Sequence, residues 1–266
     1  MQLIFFSKGL HMLLAIDVGN TNTVFAIHDD KKFLASWRCE TLVGRTADEY
    51  FVWLNQLMKL NKILGHINRV VVSSTVPRVV FNLRVLSDRY FNCRPLVIGK
   101  PDCFLGVDVR VDSGATVGAD RLVNTIGAYD QFGGDLIVVD FGTATTFDVV
   151  DHDGAYIGGV IAPGVNLSLS ALHERAAALP HIDIAQPKNV IGTNTVACMQ
   201  SGIFWGYIGL VEGICKKIKS EHPRKMKIIS TGGLSTLFNR GTNTIDHIDL
   251  DLTLHGLYLV DQRNRK

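Results

Sequence analysis

A short polar motif occurs twice in this chain, each time between two apolar stretches. The first copy, D-V-G-N-T-N-T, covers residues 17–23, and the second, D-F-G-T-A-T-T, covers residues 140–146, beginning 123 residues later. The apolar stretches on either side of each copy are typical of β-strands, so each motif is predicted to be the turn of a β-hairpin. Because that offset is close to half of the 266-residue chain, the repeat predicts two similar halves, each presenting one polar turn.

Strands and helices alternate along the rest of the chain. Thr46 and Glu49 form a capping-box signature at the start of a predicted helix over residues 46–60. The patterns predict further helices at 77–90, 119–132, 196–219 and 252–264, and strands at 13–17, 24–29, 33–40, 69–74, 95–99 and 227–230. Hairpins combined with crossovers predict an α/β fold with mixed sheets and flanking helices.

Composition argues against several classes of protein. The formal net charge is only +2 and no dense Lys/Arg tract occurs, so binding to nucleic acid or to a membrane surface is not expected. No apolar run reaches the ~18 residues that a membrane span needs. Five cysteines without a C-x-x-C pair disfavour a disulfide framework or a zinc site and favour the cytoplasm.

The chain before Met12 is expected to be a dispensable extension. Residues 1–11 contain short apolar runs that Lys8 and His11 interrupt, and no small-residue cleavage site follows before Asp17. The remaining chain is predicted to form an N-terminal half over residues 12–117 with the first turn. A C-terminal half over residues 118–266 would carry the second turn.

The two turns have the residues of a phosphate site. Gly19 and Gly142 let the backbone approach a ligand, and N–H groups with Thr or Asn side chains can donate to phosphate oxygens. Asp17 and Asp140 would repel a bare phosphate, so they predict a cation between, as Mg²⁺ is held by one or two carboxylates plus phosphates. An ordinary hairpin with local Asx bonds remains the alternative for one turn, but two matching turns favour a site. Neither a Walker A motif nor G-x-G-x-x-G is present.

A second constellation, V-G-A-D-R, begins the helix at 119–132. Asp120 could orient an acceptor hydroxyl and take its proton during phosphoryl transfer, and Arg121 could bind a substrate carboxylate. A helix-dipole role for the acid, or a surface ion pair, explains the same residues. Gly-rich segments at 158–166 and 230–235 and the T-N-T at 193–195 are weaker signals, and helix capping accounts for one residue of the last.

In this order the motifs resemble a known family. D-V-G-N-T-N-T, G-A-D-R, D-F-G-T-A-T-T-F-D-V-V, G-G-V-I-A-P-G, E-R-A-A-A-L-P, I-G-T-N-T-V-A-C-M-Q-S-G-I-F-W-G-Y and S-T-G-G-L are similar to those of type III pantothenate kinases, within the acetate and sugar kinase/chaperone ATPase/actin superfamily. The resemblance implies two ribonuclease-H-like halves with a nucleotide cleft between them. It also implies ATP-dependent phosphorylation of pantothenate to 4'-phosphopantothenate, the first step of coenzyme A synthesis, by a homodimer.

The resemblance further implies roles for individual residues. Asp120 would be the proton acceptor, Asp140 would bind a monovalent cation (K⁺ or NH₄⁺), and Asp17 would support Mg²⁺, directly or through water. ATP would contact Asp17, Val18, Gly19, Asn20, Thr21, Asn22, Thr23, Val24 and Thr143. Pantothenate would contact Gly118, Ala119, Asp120, Arg121 and, across the dimer interface, Thr195.

Two positions depart from the family pattern, and two other functions stay open. Many members have an aromatic residue near Val111 and proline where Gly114 stands, which affects the pantothenate pocket wall. A non-catalytic regulatory relative is one alternative, although such a protein would not need Asp120. A phosphatase or nucleotide hydrolase of the superfamily is the other, and it would pass phosphate to water instead of pantothenate.

Overall fold

The computed structural model describes residues 11–176 and 179–265, so most of the predicted extension lies outside the described residues. His11 already belongs to the first strand. The elements, in chain order, are β1 (His11–Val18), β2 (Asn22–His28), β3 (Phe33–Glu40), α1 (Ala47–Leu60), β4 (His66–Ser74), α2 (Pro77–Phe91), β5 (Leu96–Val97), α3 (Ala119–Phe132), β6 (Leu136–Phe141), β7 (Ala144–Val150), β8 (Tyr156–Pro163), α4 (Val165–Arg175), α5 (Thr195–Glu221), β9 (Lys227–Thr231), α6 (Ser235–Asn239), β10 (His247–Ile248) and α7 (Leu252–Arg263).

Two compact units divide the chain. Unit 1 contains the described residues up to 106 together with 117–123 and 253–265, and unit 2 contains 107–116 and 124–252. The final helix therefore packs with unit 1, as does the first turn of α3. The boundaries of these two units differ from those of the halves expected from the repeat. The boundary between those halves at residue 118 stays a prediction.

Unit 1 is built on a five-stranded sheet with the order β3-β2-β1-β4-β5. β1 pairs antiparallel with β2 and parallel with β4, so the predicted hairpin and the first crossover are both present. One face of the sheet packs against α1 and α2 through buried side chains that include Phe25, Tyr50, Leu54 and Leu83. Removing such apolar side chains from water contributes about 1.5–3 kcal/mol each. This core fixes the end of β1, where Asp17 lies.

Unit 2 repeats the same arrangement. Its sheet has the order β10-β9-β6-β7-β8, with β6 antiparallel to β7 and parallel to β9. Helix α5 covers one face with Phe204, Tyr207 and Val211, and Ala128 of α3 packs on Leu136 at the other face. Every strand of unit 1 thus has a counterpart in unit 2, and the duplication predicted from the two motifs is confirmed at the level of topology.

The two hairpins differ by one residue at their turns. In unit 1 Asp17 pairs with Val24, and in unit 2 Asp140 pairs with Thr146. The first turn, residues 19–22, is closed by a hydrogen bond from Gly19 N to Asn22 O (2.9 Å), and the second turn, residues 142–144, by one from Gly142 N to Ala144 O (3.1 Å). The ungapped alignment of the motifs therefore holds only up to the glycine. Beyond it, Thr23 corresponds to Thr145 and not to Thr146.

Local signals predicted the other elements well. Thr46 caps α1, its side chain accepts from Glu49 N (3.3 Å), and Thr46 N donates to Glu49 Oε2 (2.7 Å), which completes the predicted capping box. The start of α2 at Pro77 and the bounds of α3 also agree with the sequence. The two-residue strand β10 at the edge of the second sheet has no sequence signal of its own, because its pairing with β9 is long-range.

Candidate active site

The first turn presents its polar side chains at the end of β1. Asn20, Thr21 and Asn22 are exposed, while Asp17, Gly19 and Val24 are half-buried. Asp17 lies beside Ser73 of β4 in the parallel register, so its carboxylate sits at the carboxyl edge of two parallel strands. This edge is where α/β sheets commonly bind ligands.

Two other residues of the motif face inward. Val18 and Thr23 are fully buried, and Thr23 Oγ1 lies 2.9 Å from Thr41 Oγ1. In this conformation the Thr23 hydroxyl therefore serves the packing of the hairpin and is not open to a ligand. The predicted ATP contact of Thr23 stays a prediction.

Two threonines outside the hairpin hold the first turn. Thr41, the residue after β3, donates from Oγ1 to Gly19 O (2.8 Å) and from its backbone N–H to Thr21 O (3.0 Å). Thr75, the residue after β4, donates to Val18 O from both its N–H (2.9 Å) and Oγ1 (3.1 Å). Sequence reasoning missed both threonines, because each lies far along the chain from the turn that it contacts.

In unit 2 the corresponding carboxylate is Asp140, which is half-buried near the end of β6. Its Oδ2 accepts from Nδ2 of Asn124 (3.1 Å), a buried residue of α3. Thr143 at the tip of the second turn is exposed. Asn124 is therefore part of the surroundings of Asp140, although the sequence offered no motif that included it.

The two Gly-rich segments converge on this second turn. A Cβ at Gly164 would lie 2.1 Å from Thr143 O and 2.7 Å from Gly142 O, and a Cβ at Gly232, where φ is +90°, would lie 2.6 Å from Asp140 Oδ1. Neither position can carry a side chain without moving the turn. The weak signals of the sequence at 158–166 and 230–235 thus gain a structural explanation, since both glycines are needed for close packing around Asp140 and Thr143.

Asp120 lies in the first turn of α3, and its carboxylate folds back toward the backbone. Its Oδ1 accepts from Arg121 N (2.9 Å), and a Cβ at Gly118 would lie only 2.5 Å from the same oxygen. Burial raises the pKa of Asp120 above the usual value of a carboxyl, while the hydrogen bond and the charge of Arg121 act in the opposite direction. A partly desolvated carboxylate at a helix start is suited to accept a proton.

The last helix supports the start of α3. A Cβ at Gly256 of α7 would lie 2.1 Å from Val123 O, so the two helix backbones are in close contact within unit 1. The final helix was predicted from the sequence, but its role in positioning the segment that carries Asp120 was not.

Thr195 is exposed as the first residue of α5, and the preceding residue is the cap. Asn194 accepts from Ala197 N (2.9 Å) through its side chain, as the capping explanation expected for one residue of this T-N-T segment.

Gly114 has φ +83°, a conformation that proline cannot adopt. A proline at this position, which the resemblance leads one to expect, would therefore not fit the loop of this chain.

One other group could be mistaken for a metal centre. Asp151, His152 and Asp153 bring three potential ligand atoms within 4.8 Å of one another. Arg110, however, forms ion pairs with Asp151 and Asp153, both at 2.7 Å, so its guanidinium already occupies an oxygen of each carboxylate. Among the described helices, none is long and apolar enough to span a bilayer.

Asp17, the first turn and residues 118–121 thus belong to unit 1, while Asp140, Thr143 and Thr195 belong to unit 2.

Known structures share this duplicated fold. The structure of a protein from Sinorhizobium meliloti described as a 2-dehydro-3-deoxygalactonokinase matches with a TM-score of 0.64 at 12% identity, over 94% of this chain and 96% of that chain. An inorganic polyphosphate/ATP-glucomannokinase from Arthrobacter matches with a TM-score of 0.50 at 15% identity, over 95% and 99% of the two chains. This chain therefore shares its overall fold with these two proteins.

Comparison of the sequence with known families and proteins identifies the family of this chain. The model of the type III pantothenate kinase family matches residues 13–217. A type III pantothenate kinase from Dinoroseobacter shibae is 67% identical over 255 residues, which are 96% of this chain and all of that protein. The chain belongs to the type III pantothenate kinase family.

Proposed function

We infer that this protein transfers the γ-phosphoryl group of ATP to the primary hydroxyl of pantothenate, giving 4'-phosphopantothenate, the first step of coenzyme A synthesis. The observation that carries this inference is the family match over most of the chain, in a protein that keeps Asp120 and both turns. The reaction needs ATP with a divalent ion, which supplies charge neutralisation on the phosphates. We propose a cytoplasmic enzyme, in keeping with five free cysteines.

Binding of ATP is assigned to both turns. The proposed phosphate-binding segment is residues 17–24, in which Asp17, Gly19, Asn20, Thr21, Asn22 and Val24 would contact ATP from the turn. Val18 and Thr23, whose side chains are buried, would contribute from beneath it, and Thr143 is proposed to contact ATP as well. The exposed amide and hydroxyl groups of residues 20–22 support this assignment, because they can donate to phosphate oxygens. The half-buried Asp17 fits a Mg²⁺ site at the edge of the sheet, since Mg²⁺ is held by few protein carboxylates.

Proton transfer is assigned to Asp120. Its carboxylate would orient the pantothenate hydroxyl and accept its proton as the phosphoryl group is transferred. Gly118, Ala119 and Arg121 would contact pantothenate, with the guanidinium of Arg121 suited to its carboxylate. Thr195 would add a contact across the interface of a homodimer, which is proposed from the family resemblance.

Asp140 is proposed to bind a monovalent cation, K⁺ or NH₄⁺. Gly232 supports this assignment, because it has no side chain beside the carboxylate. A Cβ at this position would lie 2.6 Å from Asp140 Oδ1, where a cation could otherwise bind. Asn124 donates to the other carboxylate oxygen and so fixes the orientation of Asp140. A carboxylate whose orientation is fixed in this way is suited to hold a weakly hydrated cation.

The test is an ADP-release assay with and without pantothenate, combined with mass spectrometry of the products. The proposal predicts ADP formation only when pantothenate is present, and a product that carries one phosphoryl group. ATP hydrolysis independent of pantothenate would instead show a nucleotide hydrolase. If ATP is consumed neither with nor without pantothenate, the protein is a non-catalytic relative.

A further inference from the structure

We propose that Thr41 is a positioning residue whose side-chain hydroxyl holds the first turn in the shape that binds phosphate. The inference rests on the proposed binding of ATP phosphates by residues 17–24. Thr41 itself lies outside this segment, directly after β3.

The hydrogen bonds at Thr41 form a directed chain. A hydroxyl has one proton, and Thr41 Oγ1 donates it to Gly19 O at 2.8 Å. The contact of 2.9 Å between Thr41 Oγ1 and Thr23 Oγ1 must then be donated by Thr23. Because Thr23 is fully buried, water cannot replace Thr41 as the acceptor for the Thr23 hydroxyl, whereas Gly19 and Thr41 are half-buried.

These hydrogen bonds fix the direction in which the peptide groups of the first turn point. In a trans peptide the C=O of one residue and the N–H of the next point in opposite directions. Since the Gly19 carbonyl points to Thr41, the N–H of Asn20 points away from Thr41. The Thr21 carbonyl is held by Thr41 N and the Val18 carbonyl by Thr75, so three carbonyl oxygens that would repel phosphate have protein donors.

The second turn shows that the fold does not require threonine at this position. Glu40 pairs with Asn22 and Pro163 pairs with Ala144, so the residues that follow, Thr41 and Gly164, are equivalent. Gly164 offers no hydroxyl, and its backbone packs directly against the second turn. The hydroxyl is therefore specific to the turn that carries the proposed phosphate site.

The experiment compares Thr41→Val, which keeps the shape but removes the hydroxyl, with Thr41→Ser, which keeps the hydroxyl. For Thr41→Val we expect the KM for ATP to rise by about tenfold, the equivalent of one lost hydrogen bond, while the KM for pantothenate changes less than about threefold. Thr41→Ser should restore the KM for ATP to within about threefold of the wild type. Calorimetric titration of ATP into Asp120→Asn, with and without Thr41→Val, should show the same tenfold loss without turnover.

Thr75→Val is the matched control, because Val18 O keeps the N–H of Thr75 after the hydroxyl is removed. We expect a smaller change in the KM for ATP than in Thr41→Val. If Thr41→Val does not fold, Thr41→Ala removes the same hydroxyl without adding bulk and is expected to show the same ATP defect.

A KM for ATP that stays within about twofold of the wild type in Thr41→Val, or a serine variant as impaired as the valine variant, would overturn the proposal. Asp17→Asn and Asn20→Ala separate this failure from failure of the phosphate assignment. If these two variants weaken ATP binding and Thr41→Val does not, only the role of Thr41 is wrong. If none of the three changes ATP binding, the first turn is not the phosphate site.

Discussion

Substitution of Gly164 by alanine tests whether close packing holds the second turn in place. Gly164 has φ −72° and ψ 160°, which alanine adopts readily, so the effect is purely steric. The new Cβ would lie 2.1 Å from Thr143 O, whereas ordinary contact begins at 3.4 Å. Tyr207 donates to Pro163 O (2.9 Å) and restrains the segment before Gly164, so the second turn must retreat by roughly 1 Å.

A displacement of this size has two measurable consequences. Overpacking costs about 1–3 kcal/mol of the free energy of unfolding, or roughly 2–10 °C in Tm for a chain of this length. Misplacing a substrate-positioning group by about 1 Å costs on the order of 100-fold in kcat/KM. Both quantities are accessible from thermal unfolding and from ADP-release kinetics with ATP varied at saturating pantothenate.

Gly44→Ala is the matched control, because no atom lies within 4 Å of the Cβ that it would add. We expect its Tm and kcat/KM to stay close to those of the wild type. If Gly164→Ala also keeps its Tm and stays within about threefold of wild-type kcat/KM, the reasoning that the second turn is fixed by this contact is refuted.

Three further results are expected. Asp120→Asn should lower kcat by at least about 100-fold through loss of the base, yet raise the Tm at neutral pH, because burial of the charged carboxylate opposes folding. Since burial raises the pKa of Asp120, kcat/KM should fall with decreasing pH at a higher pH than an ordinary carboxyl would give; a profile flat down to pH ~4 would contradict this. Asn124→Ala, which removes the donor to Asp140, should raise the K⁺ concentration for half-maximal activity by about tenfold, as for lost outer-shell partners of metal ligands, and an unchanged K⁺ dependence would count against Asp140 as the cation ligand.

Local sequence signals predicted the hairpins, the capping box at Thr46 and the helix that begins at Ala119. Each of these depends on residues within a few positions of one another, so periodicity and capping chemistry suffice. The relation between Asp17 and Asp140 was also visible, because the duplicated turn left a motif in both halves.

Long-range contacts explain what was missed. Thr41, Thr75 and Asn124 reach the turns from other strands and helices, and a lone Thr or Asn has no recognisable pattern. The shift that matches Thr23 with Thr145 arises from the shorter second turn, which an ungapped motif comparison cannot reveal. The close approach of Gly256 to α3 likewise depends on the packing of two helices far apart in the chain.

The most direct test of the account is the fate of the transferred phosphoryl group in wild type and Asp120→Asn. With ATP, Mg²⁺, K⁺ and pantothenate, the wild type should form ADP and singly phosphorylated pantothenate in equal amounts. Asp120→Asn should bind ATP normally and form almost none of either product. Release of inorganic phosphate in place of phosphorylated pantothenate, or product formation by Asp120→Asn within a few-fold of the wild-type rate, would contradict the account.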